Sequence, residues 1–223
     1  MPLFCGLGVW QLDRAEQKRQ MASSLEARRK LPALALNHEN PEASEREYRK
    51  VEAVGRFLPQ KTVLIENRKH LGQRGFHVIT PLRLDGSDAI VLVNRGWIPQ
   101  TRLDQPDPLP TPTGSLRLTG VITLPEHPAL ELAYTPSADT EIPRWPYLTL
   151  DHFSTWSGLE ILPFAILQSP ADDGGFVRDW PQPQISDAMH IGYAIQWFAF
   201  AVIALLIWLR LSLPKTAAGE VSP

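Results

Sequence analysis

Hydrophobic and polar positions fall into three regimes along this chain. Residues 191–209, IGYAIQWFAFAVIALLIWL, run without a charge. As a helix that stretch would reach about 28 Å, close to the hydrocarbon thickness of a bilayer. Tyr193 and Trp197 stand near its start and Trp208 near its end, as interfacial aromatics do, and Arg210 and Lys215 follow. The alternative is a buried core helix. Residues 1–12, MPLFCGLGVWQL, are also apolar, with an aromatic near the end, but twelve residues cannot cross a bilayer. They carry no basic leader and no small-residue cleavage site, so they read as the second half of a membrane helix whose first half lies upstream, with a short buried strand or helix as the alternative. The expectation is that the reading frame continues upstream of Met1.

Between these ends the pattern changes twice. Residues 13–30 are rich in helix formers, with a thin apolar face (Ala15, Met21, Ala22, Leu25) and a basic one, and Pro32 stops them. They extend the first apolar segment outward, the basic residues being a solvated face or a contact to lipid headgroups. From Val51 the period becomes two. Val51, Ala53, Gly55 and Phe57 make a first strand face. Residues 62–68 follow, then Phe76, Val78, Thr80, Leu82 and Leu84. In the next run Ile90, Leu92, Asn94, Gly96 and Ile98 take one face, and Val91, Val93, Arg95 and Trp97 the other. Asp85-Gly86 between these two runs marks a hairpin. Residues 116–124 and 160–168 give two more strands, the last preceded by a short helix near residues 151–156. The fold class that follows is an α+β membrane protein. An antiparallel β domain, a sandwich or a partly open barrel, is flanked by transmembrane helices, the first of them truncated. The divisions are 1–12 (end of the first membrane helix), 13–188 (extracytoplasmic β-rich domain), 189–211 (membrane helix) and 212–223 (cytoplasmic tail).

Composition narrows the function classes. Twenty-two basic residues stand against 24 acidic ones, so nothing electrostatic argues for nucleic acid as a partner. One cysteine, Cys5, excludes a disulfide framework and a cysteine-based structural zinc site, and with three methionines it fits copper handling poorly. Of 21 prolines all but three lie in the middle region. Pro106, Pro108, Pro110 and Pro112 make a stiff connection between strands. No nucleophile elbow, zincin helix, P-loop or paired-cysteine motif is present. Gly72 and Gly75, and the run Asp172-Asp173-Gly174-Gly175, read as turns. Asp151-His152 and Glu126-His127 lack a neighbouring nucleophile. The reading is therefore not an enzyme.

Two constellations remain. Arg95, Gly96 and Trp97 adjoin at a strand end. With Arg95 and Trp97 on one face they offer a cation–π or anion site. The alternative is a structural corner whose arginine satisfies loop carbonyls. His190 stands where the polar region meets the apolar helix, with Tyr193, Ala194, Trp197 and Ala201 on its helical face. An ionisable group at a membrane boundary is a functional candidate. A histidine there is either a haem or metal ligand, with small Ala194 and flat Trp197 leaving room for a macrocycle, or a helix-start or headgroup residue.

Four blocks then occur in order. They are Gly8-Val-Trp10-Gln11-Leu12-Asp-Arg14 with Lys18, Gly75-Phe-His77-Val-Ile-Thr80-Pro81-Leu82, Val93-Asn94-Arg95-Gly96-Trp97-Ile-Pro99, and His190-Ile-Gly-Tyr193-Ala194-Ile-Gln196-Trp197-Phe198. Together they resemble the Surfeit-locus (SURF, Shy-type) family of cytochrome c oxidase assembly proteins. The resemblance implies two transmembrane helices flanking a periplasmic domain in a bacterial inner membrane. It also implies transient binding of haem A, tied to His190 with Tyr193 and Trp197 beside the ring, for delivery to the large oxidase subunit. Haem A synthase and membrane lipid are further partners it brings, and Arg95, Gly96 and Trp97 become a structural or partner contact. Relatives often carry asparagine just before the histidine. Here Ala188-Met189 stands instead, which removes a polar neighbour for the imidazole. A cofactor-free clamp on a folding oxidase subunit is the competing role, and a membrane-tethered enzyme a third.

Overall fold

The alternating runs form strands, and the strands close on themselves. A computed structural model describes residues 2–38, 47–125, 142–170, 175–181 and 186–213. Among them are β1 (Leu34–Ala35), β2 (Lys50–Phe57), β3 (Val63–His70), β4 (Gln73–Leu84), β5 (Ile90–Pro99), β6 (Leu116–Thr123), β7 (Arg144–Trp145) and β8 (Ile161–Gln168), with helices α1 (Pro2–Lys30), α2 (Leu150–Ser157) and α3 (Ala188–Ser212). The strand order is β1-β2-β6-β8-β5-β4-β3-β7, and β2 also pairs with β4. Strands β2, β6, β8, β5 and β4 therefore make a five-membered ring, a small barrel.

Closure depends on Gly55. It pairs with Leu116 of β6 and also with Leu84 of β4, so β2 passes from one neighbour to the other at this residue. A Cβ there would sit 2.2 Å from the Arg83 carbonyl oxygen, so only glycine lets the two backbones meet.

The expectation of an antiparallel domain needs correction. β1 with β2, β3 with β7 and β5 with β8 run parallel, and the other pairings are antiparallel. The reason for the pair within the ring is arithmetic. An odd ring cannot alternate direction all the way round, and the mismatch falls between β5 and β8.

Two layers bury β5. Val91 and Val93 join Val51, Leu82, Leu118 and Phe164 in the barrel interior. Leu92 faces outward, where Trp145 of β7 and Phe153 of α2 cover it. That explains a strand whose residues from Ile90 to Ile98 are all buried, where one-sided alternation would expose every second one. Helix α2 starts at Thr149, whose hydroxyl accepts from the His152 backbone N–H at 3.3 Å, and ends at Gly158 in the left-handed region at φ 69°. The His152 ring stacks on Trp145 at 4.3 Å, so this histidine serves packing. Glu126-His127 and residues 172–174 lie outside the described residues.

The described residues divide into two compact units, one of α1 up to Glu26 with α3, the other Ala27–Pro181. These limits differ from the expected divisions at 12/13 and 188/189, because α1 runs through Asp13 without a break and its charged middle stays with the helix pair. Within that pair α1 and α3 are antiparallel. Phe4 stacks on Trp197 at 6.0 Å, Gly8 receives the Phe198 ring, Gln11 meets His190, and Arg19 donates to Asp187 at 2.6 Å. Small residues make the seam, with Gly8, Ala15, Ala194 and Ala201 buried. Much of the rest of α3 is exposed. Ile195 is 65% exposed, Leu206 59% and Trp208 60%. Of the described helices, α3 is the one long and apolar enough to cross a membrane.

Candidate functional site

Each unit carries one constellation. In the helix pair, His190 is half-buried in the first turn of α3. Its Nδ1 lies 2.8 Å from Gln11 Oε1 of α1. An amide oxygen only accepts, so Nδ1 carries the proton and Nε2 keeps its lone pair. This is the arrangement by which a ligating histidine is oriented: one ring nitrogen donates to a carbonyl while the other faces the metal. No hydrogen bond among the described residues engages Nε2. The polar neighbour that Ala188-Met189 fails to provide is thus supplied from the other helix by Gln11. The sequence signal for it was its position, an amide within an otherwise apolar run.

The surroundings of His190 differ from a simple helical face. Ala194 is 1% exposed and belongs to the helix seam, so it leaves no space for a macrocycle. Tyr193 is 47% exposed at the flank. Trp197 is two turns on, about 10 Å along the axis, and stacks on Phe4 and edge-on to Phe200. Met189, next to His190 in the chain, and Tyr193, one turn on, are both exposed.

In the β unit, the strand end around Arg95 is built by a bulge. Asn94 pairs with Ile79 and Gly96 with Val78, so Arg95 is the extra residue. The bulge reverses parity along β5, which corrects the expectation that Arg95 and Trp97 share a face. Arg95 continues the Val91–Val93 side. Its guanidinium lies 5.0 Å from the Phe57 ring and 4.6 Å from Phe176, and it donates to Thr111 Oγ1 at 2.7 Å and to the Pro110 carbonyl. At 1% exposure it presents nothing to solvent. Burial, with Arg178 nearby, lowers its pKa to about 10 against the opposing pull of Asp107, so it stays cationic at neutral pH. The proline-rich connection thus takes its place partly from this arginine.

Trp97 falls on the opposite face, paired with His77. Its indole N–H donates to the Arg68 carbonyl at 3.0 Å, and His70 packs on it at 5.3 Å. Gly96 has φ 133°, and the segment beyond β8 crosses it: Trp97 and Val177 exchange both backbone hydrogen bonds, at 2.7 and 3.0 Å. Arg178 donates from Nε to the Arg95 carbonyl at 2.8 Å. Beside this crossing lies a cavity of about 470 Å³, lined among others by Arg68, His70, His77, Trp97 and Trp180. Sequence reasoning did not single out Arg68, His77 or Trp180 as site residues. They meet because β3 bulges at Asn67, which takes φ 57°, and because the crossing segment carries Trp180 over β4.

His77 gives this face a pH dependence. Burial, with Arg68 adding repulsion, lowers its pKa from 6.5 to about 4. Arg68, Lys69, His70 and Asp179 are the other ionisable groups on the cavity wall. The unfolded chain therefore binds more protons than the folded one between these values. The stability His77 contributes is fully present above pH 6.5 and is lost as pH falls toward 4, by about 3 kcal/mol. Urea midpoints of the full chain should drop across that window and level off below it. The drop should shrink in His77→Asn; an unchanged profile in that variant would assign the effect elsewhere.

Among the described residues no group of three histidine, cysteine or acidic side chains is placed to hold a metal ion. The profile of the SURF1 family matches residues 1–202. The chain is 28% identical over 220 residues to a SURF1-like protein of Monosiga brevicollis, covering 92% of this chain and 82% of that one. It is 28% identical over 216 residues to a SURF1-like protein of Rickettsia bellii, with 91% and 83% covered. It is 23% identical over 226 residues to Surfeit locus protein 1 of Rattus norvegicus, with 95% and 72% covered. The match runs through both helices and the barrel between them, and the chain belongs to the SURF1 family.

Proposed function

We propose that this chain is a membrane-anchored assembly factor for cytochrome c oxidase, holding haem A through His190 for transfer to the large oxidase subunit. Family membership supports the assembly role. The observation that carries the haem reading is the His190–Gln11 pair: a half-buried imidazole, its Nδ1–H engaged at 2.8 Å, its Nε2 free to ligate. Bound haem would supply an iron that accepts this nitrogen and a hydrophobic tail that favours lipid. The protein does the rest. Gln11 fixes the tautomer and ring orientation, exposed Tyr193 stands one turn on from the imidazole, and the exposed apolar side chains of α3 suit a bilayer alongside.

The anchoring reading rests on α3. A core helix of a soluble protein hides its apolar side chains, whereas α3 buries only Ala194 and Ala201. In this reading the span sits in a bacterial inner membrane, with the barrel in the periplasm and the chain after α3 in the cytoplasm. Arg210 favours that orientation, while Arg14, Lys18 and Arg19 beyond the first apolar segment count the other way. A long domain can translocate despite its charge. Alkaline phosphatase fused after Pro223 is expected to be inactive, and an active fusion would reverse the topology.

The role is tested in cells lacking the protein. Oxidase from such cells should be depleted in haem a, restored by the wild-type chain and not by His190→Ala. Restoration by His190→Ala to the wild-type level would favour the cofactor-free clamp. Haem a content unaffected by the deletion would remove the assembly role.

A further inference from the structure

The cavity on the β unit is separate in chemistry from the His190 constellation, and the haem reading does not use it. Its walls are of two kinds. One is aromatic: Trp97 and Trp180, with His70 packed on the first at 5.3 Å and His77 edge-on to the second at 5.5 Å. Both indole N–H groups are already spent on backbone carbonyls, Trp97 on Arg68 at 3.0 Å and Trp180 on Gln168 at 2.7 Å. What the indoles offer a guest is carbon, and Val177 adds more. The other wall is cationic. Arg68 and Lys69 line the cavity against a single acid, Asp179. Arg68 forms no ion pair among the described residues, and its Nε is buried without an acceptor. Such a group gains when an acceptor reaches its guanidinium.

His77 is set as a neutral donor by a short relay. The Gly96 backbone N–H donates to Asn94 Oδ1 at 3.3 Å, which fixes the amide with its nitrogen toward His77. Asn94 Nδ2 then lies 3.4 Å from His77 Nδ1, so Nδ1 accepts and the proton stands on Nε2. Burial and Arg68 keep the ring uncharged near neutral pH. No hydrogen bond among the described residues uses Nε2.

We propose that this cavity binds a small amphiphilic carboxylate with a flat, conjugated body. The carboxylate is held by Arg68 and the His77 Nε2–H, and the body lies against Trp97 and Trp180. A volume of about 470 Å³ suits a small molecule, and an apolar pocket with a few convergent polar groups is the usual form of such sites. A cationic guest meets Arg68 and Lys69. A metal ion lacks a ligand set among the described residues.

The test uses the full chain in detergent with ¹⁵N-labelled tryptophan, the indole signals being assigned with Trp97→Phe and Trp180→Phe. The probe is 2-naphthoate. Its neutral analogue 2-naphthamide keeps the ring and removes the charge, and acetate keeps the charge and removes the ring. Naphthoate should shift the Trp97 and Trp180 signals saturably. The amide should need at least tenfold higher concentration and acetate should not saturate. Arg68→Gln should weaken naphthoate binding about tenfold, with Arg68→Lys recovering part of it. Equal affinity for naphthoate and the amide overturns the proposal, and that comparison needs only the wild-type protein should the Arg68 variants fail to fold. Naphthoate shifts confined to Trp10 and Trp208, or unsaturable everywhere, overturn it too, since they report partition into the micelle.

Discussion

Gly96→Val should unfold the β unit or come close to it. Valine must adopt φ 133°, a region closed to a β-branched residue, at a cost of roughly 1–3 kcal/mol. Its Cβ would stand 2.6 Å from the Phe176 Cβ and 2.8 Å from the Val177 carbonyl oxygen, which breaks the crossing between Trp97 and the segment after β8 and adds about 1–3 kcal/mol of overpacking. The total, about 2–6 kcal/mol, is a large share of the stability of an ordinary domain. Arg95→Lys should cost less, about 1–2 kcal/mol. Lysine keeps the charge but loses the two-point bonding to Thr111 and Pro110 and the flat packing between Phe57 and Phe176. Urea unfolding of the two variants and their steady-state levels in cells measure this order. A Gly96→Val protein as abundant and stable as wild type would mean that the segment after β8 does not lie on Gly96.

Alternation alone places this glycine differently, and the difference is instructive. Alternation put Gly96 beside Leu92 and Ile98 and put Arg95 beside Trp97. Period two is reliable only while the ladder is unbroken, and one inserted residue at Arg95 changes the parity of everything after it. The longer strands were legible because they carry alternating apolar positions that the barrel buries, as Val51, Ala53, Gly55 and Phe57 do in β2. The parallel β5–β8 pair was not, since alternation carries no sign of strand direction and only closure of an odd ring forces it. The two-residue strands β1 and β7 are too short for any periodic signal. The cavity escaped for another reason. Arg68, His77 and Trp180 are far apart in sequence and meet through a bulge at Asn67 and a crossing loop, neither of which leaves a spacing pattern.

The helix pair shows the same limit. His190 was legible as an ionisable group at the edge of an apolar run. Gln11 stood in plain view within the other run, but 179 positions separate it from His190. Only the antiparallel contact of α1 and α3 reveals that the two side chains meet. That contact also reassigns Ala194, which pattern alone made a space beside the imidazole and which the fold uses as a seam.

Replacement of His190 by alanine should abolish haem binding while leaving both units folded. Among the described residues the side chain makes one hydrogen bond, to Gln11, and its removal costs the helix pair about 1 kcal/mol. Among the described residues, the hydrophobic clusters of the β unit contain no side chain of α3. Gln11→Ala should keep the ligand but free the ring, weakening haem affinity by roughly tenfold to a hundredfold. The decisive measurement is the visible spectrum of the full chain purified from cells that make haem A, compared at equal protein yield with His190→Ala. The wild-type protein should show a Soret band that is lost from the alanine variant. An unshifted band of equal intensity in both would contradict His190 as the ligand.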